Sequence, residues 1–248
     1  MVKVVFHEMF KDEYTSDPAA RYGRLDSALN ELSPLYDFIE PEIATEDDIL
    51  RVHTKDHFDM VSESPHLFTL ALLAAGGAIE AAENAINSDP AFALVRPPGH
   101  HASPDNCWGF CWYNNLALAI RKLRAEGKVN KVFILDFDLH YGDGTYHIFS
   151  RDPNVTYFHM NSANTLYYTL DKVTECDLVA ISAGFDRHVE DWGNMLRTED
   201  YKYIGREVKR MTDRLCPNKV FAVLEGGYNH NVLGNNIRNF CEGLEGKH

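Results

Sequence analysis

Where the apolar run Val132 to Leu135 ends, the chain reads Asp136, Phe137, Asp138, Leu139, His140. At a strand's period of two, the three polar side chains share one face while Phe137 and Leu139 point the other way. Three ionisable groups on one side of a buried strand end need a cation. Carboxylate oxygens and an imidazole nitrogen with an open position suit catalytic Zn²⁺, with Fe²⁺ or Mn²⁺ admitted by ligand type. A salt-bridged cluster at the strand end is the bland alternative. A second apolar run, Leu178 to Ile181, leads into Ser182, Ala183, Gly184, Phe185 and Asp186, again an acid just past a strand, with small residues allowing close approach. Asp186 is the natural third ligand, although read alone it would equally open a turn or cap a helix.

Two further segments offer acid/base chemistry. After Phe92 to Val95 come Arg96, Pro97, Pro98, Gly99, His100 and His101, where two prolines and a glycine make a rigid turn with adjacent histidines projecting from it. Such a pair fits proton transfer, with metal ligation or a plain solvated loop as the other readings. Trp108, Gly109, Phe110, Cys111, Trp112 and Tyr113 then form an aromatic loop ahead of the amides Asn114 and Asn115. These rings either wall a narrow channel or simply pack. Val220 to Leu224 ends in Glu225, Gly226, Gly227, Tyr228 and Asn229, a glycine pair that turns the chain and aims a tyrosine over the sheet edge. A phenol near a metal can donate to developing negative charge; otherwise it is a packed turn residue.

The elements that must position these groups follow from hydrophobic patterning. Val2 to Phe6, Phe92 to Val95, Val132 to Phe137, Val155 to Phe158, Leu178 to Ile181 and Val220 to Leu224 read as near-continuous apolar runs, the pattern of strands covered on both faces. Helical spacing or Ala/Leu richness marks Glu46 to Val61, Leu67 to Ile86, Asn114 to Glu126, Thr198 to Leu215 and Asn231 to Leu244, with Thr198, Glu199 and Asp200 as an N-terminal signal. The alternation predicts an α/β fold, a three-layer αβα sandwich around a mostly parallel sheet, with residues 1–248 as one domain. In such sheets ligands sit beyond the carboxyl ends of the strands, where all the polar groups above fall.

Composition narrows the partners. The 248 residues are 45% apolar, and 24 Lys and Arg stand against 37 Asp and Glu, a formal charge of −13. That charge opposes a sequence-independent grip on nucleic acid or an anionic membrane surface and favours a cationic ligand. No signal peptide is read at the start, and Leu67 to Ile79 is interrupted by Thr69, Gly76 and Gly77, so no spanning helix is expected. Five scattered cysteines, Cys107, Cys111, Cys176, Cys216 and Cys241, read as free thiols in a reducing, cytoplasmic compartment.

Taken together, these segments resemble the histone deacetylase superfamily, which includes acetylpolyamine amidohydrolases and microbial relatives on the arginase-like α/β fold. The likeness runs from His7 almost to the C-terminus and includes Arg24-Leu25, Val52-His53 and Ala74-Ala75-Gly76-Gly77. It implies that Asp138, His140 and Asp186 are zinc ligands, His101 the general base, His100 its electrostatic or acid partner, and Tyr228 the group that polarises the substrate carbonyl. Asp136 and Asp143 would orient His100 and His101, and Gly109 and Phe110 would wall the channel. A structural K⁺ beside Asp136 and Asp138 is also implied. The expected activity is hydrolysis of an acylated amine, small or peptide-borne, to a free amine and acetate.

The chain departs from the family's pattern in several places. Tyr141 stands where many relatives have a further histidine, and His159 falls near a serine that helps bind K⁺. Only 19 residues separate Phe158 from Leu178, which removes the second channel phenylalanine; Tyr167 or Tyr168 is the expected substitute, or the channel has an open wall. Glu63 is an uncertain match to an acid that clamps the substrate, and Arg24 either lines an internal path or forms a surface salt bridge. Two other functions compete: an arginase-like hydrolase with two Mn²⁺ ions, and a catalytically idle binding or scaffold protein.

Overall fold

The computed structural model describes residues 1–247. From the N-terminus, β1 (Lys3–Val5) is followed by α1 (Asp26–Leu32) and β2 (Asp37–Ile39). Helices α2 (Glu46–Ile49), α3 (Lys55–Ser62) and α4 (Pro65–Ile86) lead to β3 (Ala91–Ala93), and α5 (Asn115–Ala125) leads to β4 (Val132–Asp136). Next come α6 (Asp143–Phe149), β5 (Val155–His159), α7 (Ala163–Asp171) and β6 (Leu178–Ala183). The last elements are α8 (Thr198–Leu215), β7 (Val220–Leu224) and α9 (His230–Leu244).

Among the described residues, seven strands pair in parallel, in the order β2-β1-β3-β7-β6-β4-β5. Helices pack around the sheet, α4 against α5 and α8 against α9, with α1 against α9, completing the three-layer α/β architecture that the alternation of elements predicts. The central strands β3, β4, β6 and β7 are buried along their whole length, as their unbroken apolar runs require. Because β3, β7, β6 and β4 are consecutive neighbours, their carboxyl ends deliver four different loops to one place. Register is set so that Asp136 pairs with Ser182 on one side and His159 on the other.

Directly behind that place lies a cluster of fully buried rings. Phe137 meets Phe185 and Phe240 at 5.6 and 5.2 Å between centroids, and Phe92 meets Phe240 at 6.2 Å. Tilted and edge-on pairs at such separations contribute about 0.5–1.5 kcal/mol each beyond the area they bury. Phe137 thus anchors the end of β4 from behind while its neighbours Asp136 and Asp138 turn toward the site.

The structure adds elements that patterning does not show and divides one that it does. The stretch read as a helix over Glu46 to Val61 is two helices, each with its own cap: Thr45 and Asp48 form a reciprocal capping box on α2, and Thr54 accepts from His57 N–H to start α3. At α8 the capping position is Arg197, whose backbone N–H donates to Asp200 Oδ2 at 2.7 Å. The helix α4 is long and apolar enough by composition to cross a membrane, which corrects the sequence argument, but 72% of its apolar window is buried inside the fold. All five cysteines are free.

Candidate metal centre and substrate cleft

The centre is built from two strand ends. Asp138 N–H donates to Asp136 Oδ1 at 3.0 Å, and Asp138 Oδ1 accepts from His140 N–H at 2.9 Å, a pair of tight turns that keeps both acids on one side as the chain leaves β4. Gly226 N–H, beyond β7, donates to Asp138 Oδ2 at 2.7 Å. Asp186, beyond β6, has Oδ1 fixed by Leu139 N–H at 2.9 Å, while its buried Oδ2 faces His140. His140 Nδ1 lies 3.2 Å from Asp138 Oδ1 and 3.1 Å from Asp186 Oδ2. One donor atom from each of the three residues falls within 4.8 Å of the others.

This donor set fits a divalent cation. Two carboxylates that are almost fully buried cannot share so small a space without positive charge. With protein charges alone, burial and then the charge of Asp138 push Asp186 up to about 6. The bonds to Asp138 and Asp186 push His140 up to about 10, so a proton at Nδ1 supplies the positive charge that an ion would bring. A Cβ at Gly226 would lie 2.6 Å from Asp138 Oδ2 and 2.7 Å from Asp186 Oδ2, so only glycine lets β7 approach the acids this closely. Two carboxylates and one imidazole are ligand types that Zn²⁺, Fe²⁺ and Mn²⁺ all accept.

The implied monovalent cation fits less well. Beside β4 the carbonyl oxygens of Phe137 and Asp138 both accept from Arg187 Nε at 3.0 Å, and His159 presents an imidazole nitrogen to Arg187 Nη2 at 3.1 Å. Hard cations take oxygen donors, and here the oxygens are already engaged by a guanidinium.

The two histidines sit on the rigid turn after β3 and differ in protonation. His100 Nδ1 is 3.1 Å from Asp136 Oδ2, which also accepts from the Tyr157 hydroxyl at 2.9 Å. Burial disfavours the charged ring of His100, but Asp138, Asp136 and Glu225 outweigh it and hold its pKa well above the usual value. His101 Nδ1 is 2.6 Å from Asp143 Oδ1, and Trp108 Nε1–H donates to Asp143 Oδ2 at 2.9 Å. Burial and the neighbouring His100 charge push His101 down to about 4, leaving a neutral ring that can accept a proton. Glu225, fully buried, accepts from Gly99 and His100 N–H at 2.7 and 3.1 Å and so holds the turn that carries both rings.

Tyr228 follows the glycine turn after β7. Its ring stacks on Trp192 at 4.0 Å, meets Phe110 edge-on at 6.2 Å, and has the Arg24 guanidinium 5.4 Å from its centroid. Asp191 Oδ2 accepts from the backbone N–H of Tyr228 and Asn229 at 2.8 Å each, fixing the turn. Burial, then the charge of Asp138, raises the phenol's pKa, so it remains a hydrogen-bond donor. Together with His101, His140, Phe110 and Trp108, Tyr228 and Trp192 line a cleft of about 130 Å³. A larger hollow of about 500 Å³ lies by the amino ends of β4 and β5, between Lys131 and Glu175, and holds none of this chemistry.

Several expectations are corrected. Tyr167 and Tyr168 do not wall the cleft: they lie exposed on α7, with Tyr167 under Arg210 at 4.3 Å. The added aromatic surface comes from Trp192 and Trp108, each about half exposed at the mouth. Gly109 and Phe110 do line it, both with left-handed backbone (φ 60° and 69°). Arg24 makes no surface salt bridge; it is fully buried, donating to the Gly227 and Glu225 carbonyls at 2.9 and 2.6 Å. Glu63 caps the end of α3, is exposed and takes no part in the cleft. Sequence reading missed Trp192, Asp191 and Arg187, although all lie within six residues of Asp186 in one loop crowded with large and charged side chains.

Comparison with known proteins adds an independent line. The histone deacetylase domain family matches residues 16–176 and again 164–244. The sequence is 34% identical to a "Probable deacetylase" of Methanothermobacter thermautotrophicus, covering 88% of this chain and 81% of that protein. It is 32% identical to a "Probable deacetylase" of Archaeoglobus fulgidus, covering 91% and 80% respectively. The first alignment runs over 276 positions, more than the 248 residues of this chain, so this sequence lacks segments that its relative has. The two family matches overlap at residues 164–176, on α7 in the crossover between β5 and β6. Among solved structures, the HDA15 HD domain superposes with a TM-score of 0.86 at 25% identity, covering 99% of this chain and 90% of that one.

Proposed function

Because the chain belongs to the histone deacetylase family of amide hydrolases, we propose that it is a zinc-dependent amidohydrolase. It removes an acetyl or related short acyl group from a cationic amine, an acetyl-lysine or an acetylpolyamine. The observation that carries this reading is the convergence of the Asp138, His140 and Asp186 donor set, the paired His101 and the partly buried Tyr228 on one aromatic-lined cleft.

Asp138, His140 and Asp186 would hold the ion, which would supply Lewis acidity toward the amide carbonyl and lower the pKa of water toward about 7. The remaining work falls to side chains. His101, neutral and oriented by Asp143, takes a proton from the attacking water and then gives it to the departing amine nitrogen. Trp108 packs on the His101 ring at 4.0 Å between centroids and holds Asp143 from its other oxygen, so imidazole and carboxylate move as one unit. The Tyr228 hydroxyl donates to the carbonyl oxygen as it gains charge, in a partly buried setting that strengthens the bond. His100 stays protonated beside Asp136 and offsets the negative charge of the buried acids. Phe110, Trp108 and Trp192 shield the alkyl stem of the amine from water.

An arginase-like site would need carboxylates for a second ion. The other buried donor group, His100, Cys111 and Glu225, has its acid accepting from Gly99 and His100 N–H and from Ser182 Oγ, and its histidine on Asp136. The test is a panel of lysine and polyamine amides of increasing acyl length, offered to the Zn²⁺-loaded protein. Chelator-sensitive release of short carboxylates is expected, and no release from any member refutes the reading.

A further inference from the structure

The loop after β6 carries a buried arginine that the chemistry above does not use. Arg187 follows the candidate ligand Asp186 directly and is 4% exposed. Its main chain is held by the turn that follows, where its carbonyl accepts from Met195 and Leu196 N–H at 2.9 and 2.8 Å. Its side chain runs back under the end of β4. There Nε donates to the carbonyl oxygens of Phe137 and Asp138, both at 3.0 Å, and Nη2 donates to His159 Nε2 at 3.1 Å.

Those two carbonyls lie just past Asp136, where Phe137 N–H still donates to Ser182 O at 3.1 Å but the sheet supplies neither carbonyl with a donor. Consecutive carbonyl oxygens aimed at one point make a cation site in miniature, and the planar guanidinium fills it with fixed donors. The same side chain sets the tautomer of His159. With Nε2 accepting from Arg187, the ring proton lies on Nδ1, which faces Asp136 Oδ1 at 3.9 Å. Arg187 therefore touches Asp138 through its carbonyl and Asp136 through His159, the two acids that set the ligand face and orient His100.

We propose that Arg187 is a tethered cation that takes the place of a bound monovalent ion behind the metal centre, a positioning residue that makes the ligand set independent of K⁺ or Na⁺. The chain carries this charge covalently, so no ion need be bound for Asp136 and Asp138 to keep their places. This inference rests on the metal reading given above and sharpens it.

The test measures Zn²⁺ affinity of the full chain by chelator competition, together with the melting temperature and kcat, in KCl and in tetramethylammonium chloride at equal ionic strength. The wild type should differ by less than about twofold in affinity between the two salts. Arg187→Ala should bind Zn²⁺ about 10–100-fold more weakly in tetramethylammonium, the range seen when groups supporting metal ligands are removed. KCl or millimolar guanidinium, entering the emptied space, should restore much of that loss. Arg187→Met, which fills the space without charge, should be weakened in both salts, and Arg187→Lys should retain most of the affinity. Wild-type affinity that rises fivefold or more in KCl overturns the proposal, as does wild-type behaviour of both Arg187→Ala and Arg187→Met. If Arg187→Ala does not fold, the wild-type salt comparison and Arg187→Lys still decide. A wild type that holds no Zn²⁺ in either salt refutes the metal reading itself.

Discussion

Replacing Tyr228 by phenylalanine removes one oxygen from the cleft and leaves its walls intact. Phe keeps the stack on Trp192 at 4.0 Å and the edge contact to Phe110 at 6.2 Å, and its ring still faces the Arg24 guanidinium. The backbone there is fixed independently by Asp191, which accepts two N–H groups at 2.8 Å. Substrate binding and metal binding should therefore be nearly unchanged. What disappears is one preorganised donor to a developing oxyanion, in a site from which burial has removed most water. Loss of one such donor costs about 2.7–4 kcal/mol of transition-state stabilisation, a 10²–10³-fold fall in rate. The expected result is a kcat reduced by that factor, with KM and Zn²⁺ content within about twofold of the wild type. Steady-state kinetics on an acetyl-lysine peptide, paired with metal analysis of the same sample, reads all three quantities. A fall of less than about fivefold would show that the phenol does not meet the carbonyl oxygen. Equal loss of metal and activity would move Tyr228 from chemistry to metal retention.

Four further outcomes follow. Asp186→Ala removes the acid whose Oδ2 completes the donor set with Asp138 and His140, so equilibrium dialysis should show Zn²⁺ binding weakened by at least about 10²-fold. Asp143→Asn breaks the 2.6 Å contact to His101 and its control of the tautomer; kcat should fall about 10²-fold or more with metal retained, and a fall below fivefold would remove His101 from the role of base. Trp192→Ala frees the Tyr228 ring, so kcat/KM should drop about 3–10-fold, and unchanged kinetics would mean the stack has no part in holding the phenol. Stability should also fall on acidification through His53, which donates from Nδ1 to Ser103 O and accepts at Nε2 from Asn114 N–H, both at 2.9 Å. Burial pushes this ring from 6.5 down to about 3, so the unfolded chain takes up a proton that the folded chain refuses. The resulting loss begins near pH 6.5 and reaches about 2 kcal/mol by pH 5, and urea titrations of the wild type and His53→Gln should diverge in slope over that window.

How much of this was legible in the sequence depends on the length of each signal. The strands of the sheet centre announced themselves because both faces are covered, leaving unbroken apolar runs such as Val220–Leu224. The edge strand β2 escaped because it has three residues, and its exposed Asp37 reads as a turn until its pairing with Lys3 across the sheet is seen. The short helices α1, α6 and α7 run seven to nine residues, too few turns for a periodicity to stand out. The split between α2 and α3 was written in two capping threonines, Thr45 and Thr54, but a shared apolar pattern masked it. In the site, residues that must reach one ion come from strand ends and can be found by type and position. Trp192 and Arg187 could not be found that way. Their roles come from where the loop between β6 and α8 folds back, which is a tertiary fact, whereas the short crossover between β5 and β6 points to Tyr167 and Tyr168, which α7 turns away from the cleft.

The central claim is that one ion held by Asp138, His140 and Asp186 makes this chain an amide hydrolase. Titrating metal-free protein with Zn²⁺ while following acetate release from an acetylated amine tests it directly. The account predicts activity that rises to a plateau at one Zn²⁺ per chain, vanishes with a chelator and never appears in Asp186→Ala. Acetate release that is absent at every Zn²⁺ concentration, or a plateau reached only at two ions per chain, would contradict it.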